Sequence, residues 1–171
     1  MVLIMKAIQY ILLMLALALT ACVNDSDVPA DSLQPGDMLP EFSVVMSDGS
    51  IVSTRSLSGR RSVICLFNTG CQDCRQELPE LQRAYEICSA MDSQPQFVCI
   101  ARDENAADIA EFWKTNNLTL PYSSQDGRSI YELFAKSGIP RIYISDESLK
   151  IIAAYGDTSM PTADEIVRQL K

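Results

Sequence analysis

This sequence predicts an α/β fold built on a mostly central sheet, and three observations carry that prediction. Two short runs, Ser62–Phe67 (SVICLF) and Gln96–Ala101 (QFVCIA), are apolar almost end to end, as expected of strands buried on both faces of a parallel or mixed sheet. Between them Leu78, Leu81, Tyr85 and Cys88 recur at three- and four-residue steps, the pattern of a helix with one buried face. After the second run, helical and strand-like segments go on alternating, an order that lays helices against a sheet. The 171 residues are 47% apolar and 21% charged, which suits one folded domain and excludes bulk disorder.

The first segment lies outside that domain. After Lys6 the chain is apolar from Ala7 to Ala21 except at Gln9, Tyr10 and Thr20. This is shorter than the roughly 20 residues of a membrane-spanning helix and laid out like a secretory signal. It ends Leu19-Thr20-Ala21-Cys22, which resembles a bacterial lipobox; residues 1–21 are then a signal peptide and Cys22 the lipidated first residue of the mature chain. An ordinary signal peptide and an uncleaved anchor are the alternatives. Residues 22–38, with four Asp and two Pro between Val23 and Asp37, read as a solvated, flexible tether, and the domain proper as 39–171.

Within the domain Phe42–Met46 reads as a strand, Asp48-Gly49 as a hairpin turn and Ile51–Ser53 as the return strand. Ser62–Phe67 is the next strand. Cys74–Met91 is the long helix, with Pro79 inside it as a source of a kink. Gln96–Ala101 follows, then helices over Ala106–Asn116 and Arg128–Lys136. Ile142–Ser145 and Ile151–Tyr155 form a hairpin, and Pro161–Leu170 closes the chain as a helix with proline at its first position.

The chemistry is bounded by two counts, no histidine and six cysteines. Without imidazole there is no Ser-His or Cys-His nucleophile pair and no His-ligated metal site. A net charge of −8, or −9 once Lys6 leaves 13 basic against 22 acidic side chains, excludes nucleic acid as a partner. No nucleotide-binding fingerprint is present. Thiols, carboxylates and backbone are what remain.

Cys71-Gln72-Asp73-Cys74 falls where a buried strand ends and a helix begins. Free amide N–H groups at a helix start favour a nearby negative charge, and the thiolate is the form that attacks a disulfide. A second thiol one turn on can resolve the mixed disulfide. Cys71 is then the exposed nucleophile and Cys74 the buried resolving thiol, working without cofactor or metal. Half a zinc knuckle and a static disulfide share this spacing; zinc would need further Cys or carboxylate ligands, and no second short-spaced cysteine pair exists.

The stretches Pro40-Glu-Phe42, Asp48-Gly49, Leu57-Ser-Gly59, Ser62 through Cys71-Gln-Asp-Cys74-Arg75, Glu77-Leu-Pro79 and Leu81, with Gly138-Ile139-Pro140 followed by Arg-Ile-Tyr-Ile-Ser-Asp146, resemble the TlpA/ResA-like thioredoxin family. The resemblance spans about Leu39–Lys171. It implies a thioredoxin-like fold: a central mixed sheet flanked by helices, an N-terminal β-hairpin, and an extra strand and helix in the 66 residues between Cys74 and Pro140. It also implies a cis Ile139–Pro140 bond beside the cysteines, where Gly70, Ile139 and Pro140 would meet an extended substrate segment.

Three departures stand out. Gly70 replaces the family's usual Trp, which removes a flat apolar rim. Cys65 replaces the buried Asp or Asn of the family, so no carboxylate there can deprotonate Cys74; Glu104 is the candidate substitute, and a solvated loop residue is its alternative. Asp73 opposes negative charge between the cysteines and Arg75 partly offsets it, which favours a reducing or intermediate potential.

Cys65 and Cys99 should lie on neighbouring strands and Cys88 on the helix's apolar stripe. Core packing is the plain reading of all three; a Cys65–Cys99 or Cys88–Cys99 bridge stays open. The expected function is a lipid-anchored thiol–disulfide oxidoreductase on the extracytoplasmic, periplasm-facing side of a bacterial envelope. By resemblance its partners are disulfide-containing exported proteins, in cytochrome c maturation or redox homeostasis, and a membrane thiol electron donor. A drifted, non-catalytic binding or sensing module is one alternative, which Gly70 keeps open. A peroxiredoxin-like peroxidase is another, though Ile64 and Asn68 break that group's Pro-x-x-x-Thr-x-x-Cys pattern.

Overall fold

The computed structural model describes residues 31–171; the expected signal segment, Cys22 and the first part of the expected tether lie outside the described residues. Strands β1 (Ser43–Val45) and β2 (Ile51–Ser53) form the antiparallel hairpin. Its turn needs Gly49 at φ +83°, a conformation costly for residues with a Cβ. The main sheet contains β3 (Ser62–Phe67), β4 (Gln96–Ala101), β5 (Tyr122–Ser123), β6 (Arg141–Ser145) and β7 (Ile151–Tyr155) in the order β5-β4-β3-β6-β7. β3 runs parallel to β4 and antiparallel to β6, so the sheet is mixed and β3 is central. All six residues of β3 are buried, which is why it reads as an unbroken apolar run.

Helix α1 (Thr54–Leu57) is a single turn closed by a Ser53/Ser56 capping box. α2 (Gln72–Ser89) is the long helix, α3 (Ala106–Thr115) follows β4, and α4 (Ala163–Gln169) packs on α2. Four sequence expectations shift. α2 starts two residues before Cys74 and runs on through Pro79 without a break. α4 starts after Thr162, whose side chain caps it reciprocally with Glu165; this capping box moves Pro161 outside the helix. The helix expected over Arg128–Lys136 is only a 3-10 turn at Tyr131–Leu133. There the Phe134 carbonyl accepts from Leu33 N (2.9 Å) and Tyr143 Oη (3.1 Å) instead of continuing a helical ladder. Finally, the body begins before Leu39. Ser32 pairs with Ala135 and Met38 with Lys150, and Gly36 N donates to Ile151 O at 2.8 Å; residues 32–38 are docked backbone, not free tether. No helix among the described residues is long and apolar enough to cross a membrane.

Candidate active site

β3 points its C-terminal end at the start of α2, and the turn Asn68-Thr69-Gly70 joins them. Asn68 organises the turn. Its Oδ1 accepts from Gly70 N (2.8 Å) and its Nδ2 donates to Arg102 O (3.1 Å), just past β4. A Cβ on Gly70 would lie 3.0 Å from that Oδ1, a tight contact that the Asn68 amide would have to relieve by shifting slightly. Gly70 is exposed, and the rim beside the cysteines is bare backbone.

Cys71 is the N-cap of α2, with extended φ −83° and ψ 130° and no side-chain cap bond. The amides of the first turn therefore have no capping side chain, and the sulfur stands at the positive end of the helix dipole. Cys71 is half-buried, and its Sγ donates to Ile139 O at 3.6 Å. Cys74 lies one turn on and is fully buried. Burial pushes its thiol up to about 12, and the neighbouring Cys71 adds to this, so it keeps its proton at neutral pH. Both are free thiols in this structure.

The third side of the site is the Gly138-Ile139-Pro140 loop. Its Ile139–Pro140 bond is cis. Tyr131 Oη donates to Gly138 O (2.9 Å) and the Arg141 guanidinium to Ser137 O (2.8 Å), which ties the loop down on both flanks. Ile139 and Pro140 are buried, and the Ile139 carbonyl is the one that reaches Cys71.

Glu104 is close to the site but meets neither cysteine by a hydrogen bond. Its carboxylate accepts from Thr69 N at 2.8 Å and from Thr69 Oγ1, while its backbone pairs with Gln125. It braces the turn from the β4 side; the carboxylate expected from the sequence to serve Cys74 is bonded to Thr69 in this structure. Arg75, expected to offset Asp73, donates to Thr69 O and lies over the Phe112 ring, 5.8 Å from its centroid. Thr69 thus receives Glu104 on its donors and Arg75 on its acceptor. Glu104→Ala is expected to destabilise the protein by about 1–3 kcal/mol, the cost of unpairing a buried donor from a charged acceptor, read as a lower urea midpoint with an unchanged slope.

Sequence reasoning missed Glu77. It sits on α2 one turn beyond Cys74, is 2% exposed, and its Oε1 has no hydrogen-bond partner. Burial pushes its carboxyl up to about 8, and Glu80 and Glu165 add to the effect, so it is largely protonated near neutral pH. The signal was its position three residues after Cys74 and four before Leu81, within the apolar stripe. Among the described residues no three metal-ligating side chains converge.

The family model described as Redoxin matches residues 34–168. The thiol–disulfide oxidoreductase ResA of Bacillus cereus (strain ZK / E33L) is 20% identical over 122 residues, covering 71% of this chain and 69% of the relative. Among solved structures, a thiol:disulfide interchange protein of the thioredoxin family from Chlorobium tepidum TLS aligns with TM-score 0.67 and 23% identity over 81% of this chain and 95% of its own. An exposed lipoprotein thioredoxin from Streptococcus pneumoniae strain TIGR4 aligns with TM-score 0.63 and 16% identity over 77% and 98%. The fold they share with this chain is thioredoxin-like.

Proposed function

The chain belongs to the redoxin family and is a thiol–disulfide oxidoreductase of the thioredoxin type, and from that premise we propose that Cys71 and Cys74 carry the exchange on exported protein substrates. The observation that supports this most directly is the pairing of a half-buried cysteine at a helix start with a fully buried one a turn later, against the Ile139 carbonyl. Cys71 thiolate attacks the substrate disulfide; one substrate sulfur leaves as a thiol and a mixed disulfide forms. Cys74 then loses its proton and attacks Cys71 Sγ. The second substrate sulfur leaves, and the protein is left with a Cys71–Cys74 disulfide. The flanking backbone of Gly70 and the Ile139–Pro140 edge form the surface on which an extended substrate segment lies. No cofactor takes part.

Regeneration calls for two electrons, which a membrane thiol carrier would supply. Lipid on Cys22 would keep the protein on the extracytoplasmic face of the envelope, a placement that fits the exposed lipoprotein among its structural neighbours. Cytochrome c maturation and general redox homeostasis are the two roles this reading serves. The test compares reduction of insulin disulfides by wild type, Cys71→Ser and Cys74→Ser. Loss of turnover by at least about 1,000-fold in both variants is expected, on the scale of removing a covalent nucleophile; equal turnover in all three removes the reading. Peroxide consumption by wild type without disulfide reduction would assign the thiols to a peroxidase instead.

A further inference from the structure

The proposed exchange uses two of the five cysteines among the described residues. Two of the others lie on the paired central strands, one of them on the strand that leads into the site. Cys65 of β3 and Cys99 of β4 are register partners on adjacent parallel strands, so their side chains leave the same face of the sheet. Neighbouring strands lie about 4.8 Å apart, inside the roughly 4.4–6.8 Å window of Cα separations that a disulfide spans and slightly beyond its Cβ separation of about 3.5–4.5 Å, so a bridge draws the two strands slightly together. Each is 1% exposed. Cys65, Cys99 and the resolving Cys74 belong to one buried core cluster, and Cys99 beside it and burial both push the Cys65 thiol up, with smaller contributions from Cys74 and Glu77. The third, Cys88, is buried near the C-terminal end of α2.

We propose that Cys65 and Cys99 are a second, buried redox dithiol that exchanges with the Cys71–Cys74 disulfide through Cys74, so that one chain stores four electrons. This rests on the oxidoreductase reading, since the substrate disulfide is the oxidant. After the first turnover, Cys65 loses its proton and attacks Cys74 Sγ, and Cys71 leaves as thiolate. Cys99 then loses its proton and attacks Cys65 Sγ; the Cys65–Cys99 bond forms and Cys74 leaves. One disulfide has moved inward, two electrons and two protons have moved outward, and the Cys71/Cys74 dithiol is ready for a second substrate before any donor is met. Cys99 alongside it and burial hold the Cys65 thiol well above the usual thiol range, so the inward step is the slower one.

The test counts thiols on the purified full chain carrying Cys22→Ser, which leaves five cysteines. The reduced protein is mixed with excess oxidised glutathione, quenched in acid and alkylated in denaturant, and its mass is followed over time. Five labels falling quickly to three, then more slowly to one, with peptide mapping that finds Cys65 joined to Cys99 and Cys88 labelled, is the expected result. Arrest at three labels, with Cys65 and Cys99 both alkylated, overturns this inference and leaves the oxidoreductase reading standing. Retention of five labels defeats that reading as well. In Cys74→Ser, Cys65 and Cys99 are expected to stay labelled; a bridge forming there would show direct oxidation and sink the relay through Cys74.

Discussion

Replacing Glu77 with glutamine is expected to make the protein more stable at pH 9 and to change it little at pH 4. The wild-type carboxyl titrates near its ordinary 4.5 when unfolded and at about 8 when folded, chiefly because it is buried. Between those values the native state holds a proton that the unfolded state has released. Stability therefore falls as pH rises through this window, and below it the group costs nothing. Each unit of difference is worth about 1.4 kcal/mol, so the full penalty above pH 8 is on the order of 4–5 kcal/mol. Glutamine has the same shape and no charge to bury. Urea midpoints across pH 4–9 should decline for wild type between pH 5 and 8 and stay flatter for Glu77→Gln. Parallel curves would mean that the carboxyl finds water or a cation in solution. Exposed groups such as Asp48, Asp146 and Glu165, which are held below their ordinary range by hydrogen bonds, act only at lower pH and cancel in the comparison.

Trp113→Ala is expected to cost about 3–5 kcal/mol, or roughly 10 °C in melting temperature. The indole of Trp113, 5% exposed, stands 5.1 Å from the Phe67 ring and 4.8 Å from that of Tyr122, and its Nε1 donates to Leu120 O at 2.9 Å. Its loss opens a large cavity and unpairs a buried carbonyl. Phe67 is the last residue of β3, so the damage reaches the strand that carries the Asn68–Gly70 turn. Thermal unfolding followed by circular dichroism measures it; a shift under 2 °C would mean that Phe112 and Tyr122 collapse into the space.

The elements legible in the sequence are those whose burial imposes a period. β3 and β4 match their expected limits because both faces of each are covered, so every position is under the same constraint. β5 went unseen because Tyr122 and Ser123 are too few to show alternation, and α1 because its four residues are held by Ser53 and Ser56 side chains, with no apolar stripe. The cysteine pair was legible from spacing, and the cis bond at Pro140 from resemblance. Glu77 was hidden by its type: a carboxylate among apolar neighbours reads as solvent-facing until the packing of α4 on α2 is known. Glu104 was placed near the right turn, but only three dimensions show that Thr69 takes its carboxylate.

The docked segment ahead of Leu39 sets a stand-off distance. Asp31 O accepts from Lys136 N at 2.7 Å and Leu33 N donates to Phe134 O, so the chain is fastened to the loop that leads into Pro140. With the proposed lipid on Cys22, nine peptide steps link the bilayer to that fastening point, a leash of at most about 32 Å. The Cys71–Cys74 site then lies no further from the lipid surface than that length plus the span of the domain from Asp31 to Cys71, and any pull at Asp31 bears first on the loop whose Ile139 carbonyl meets Cys71.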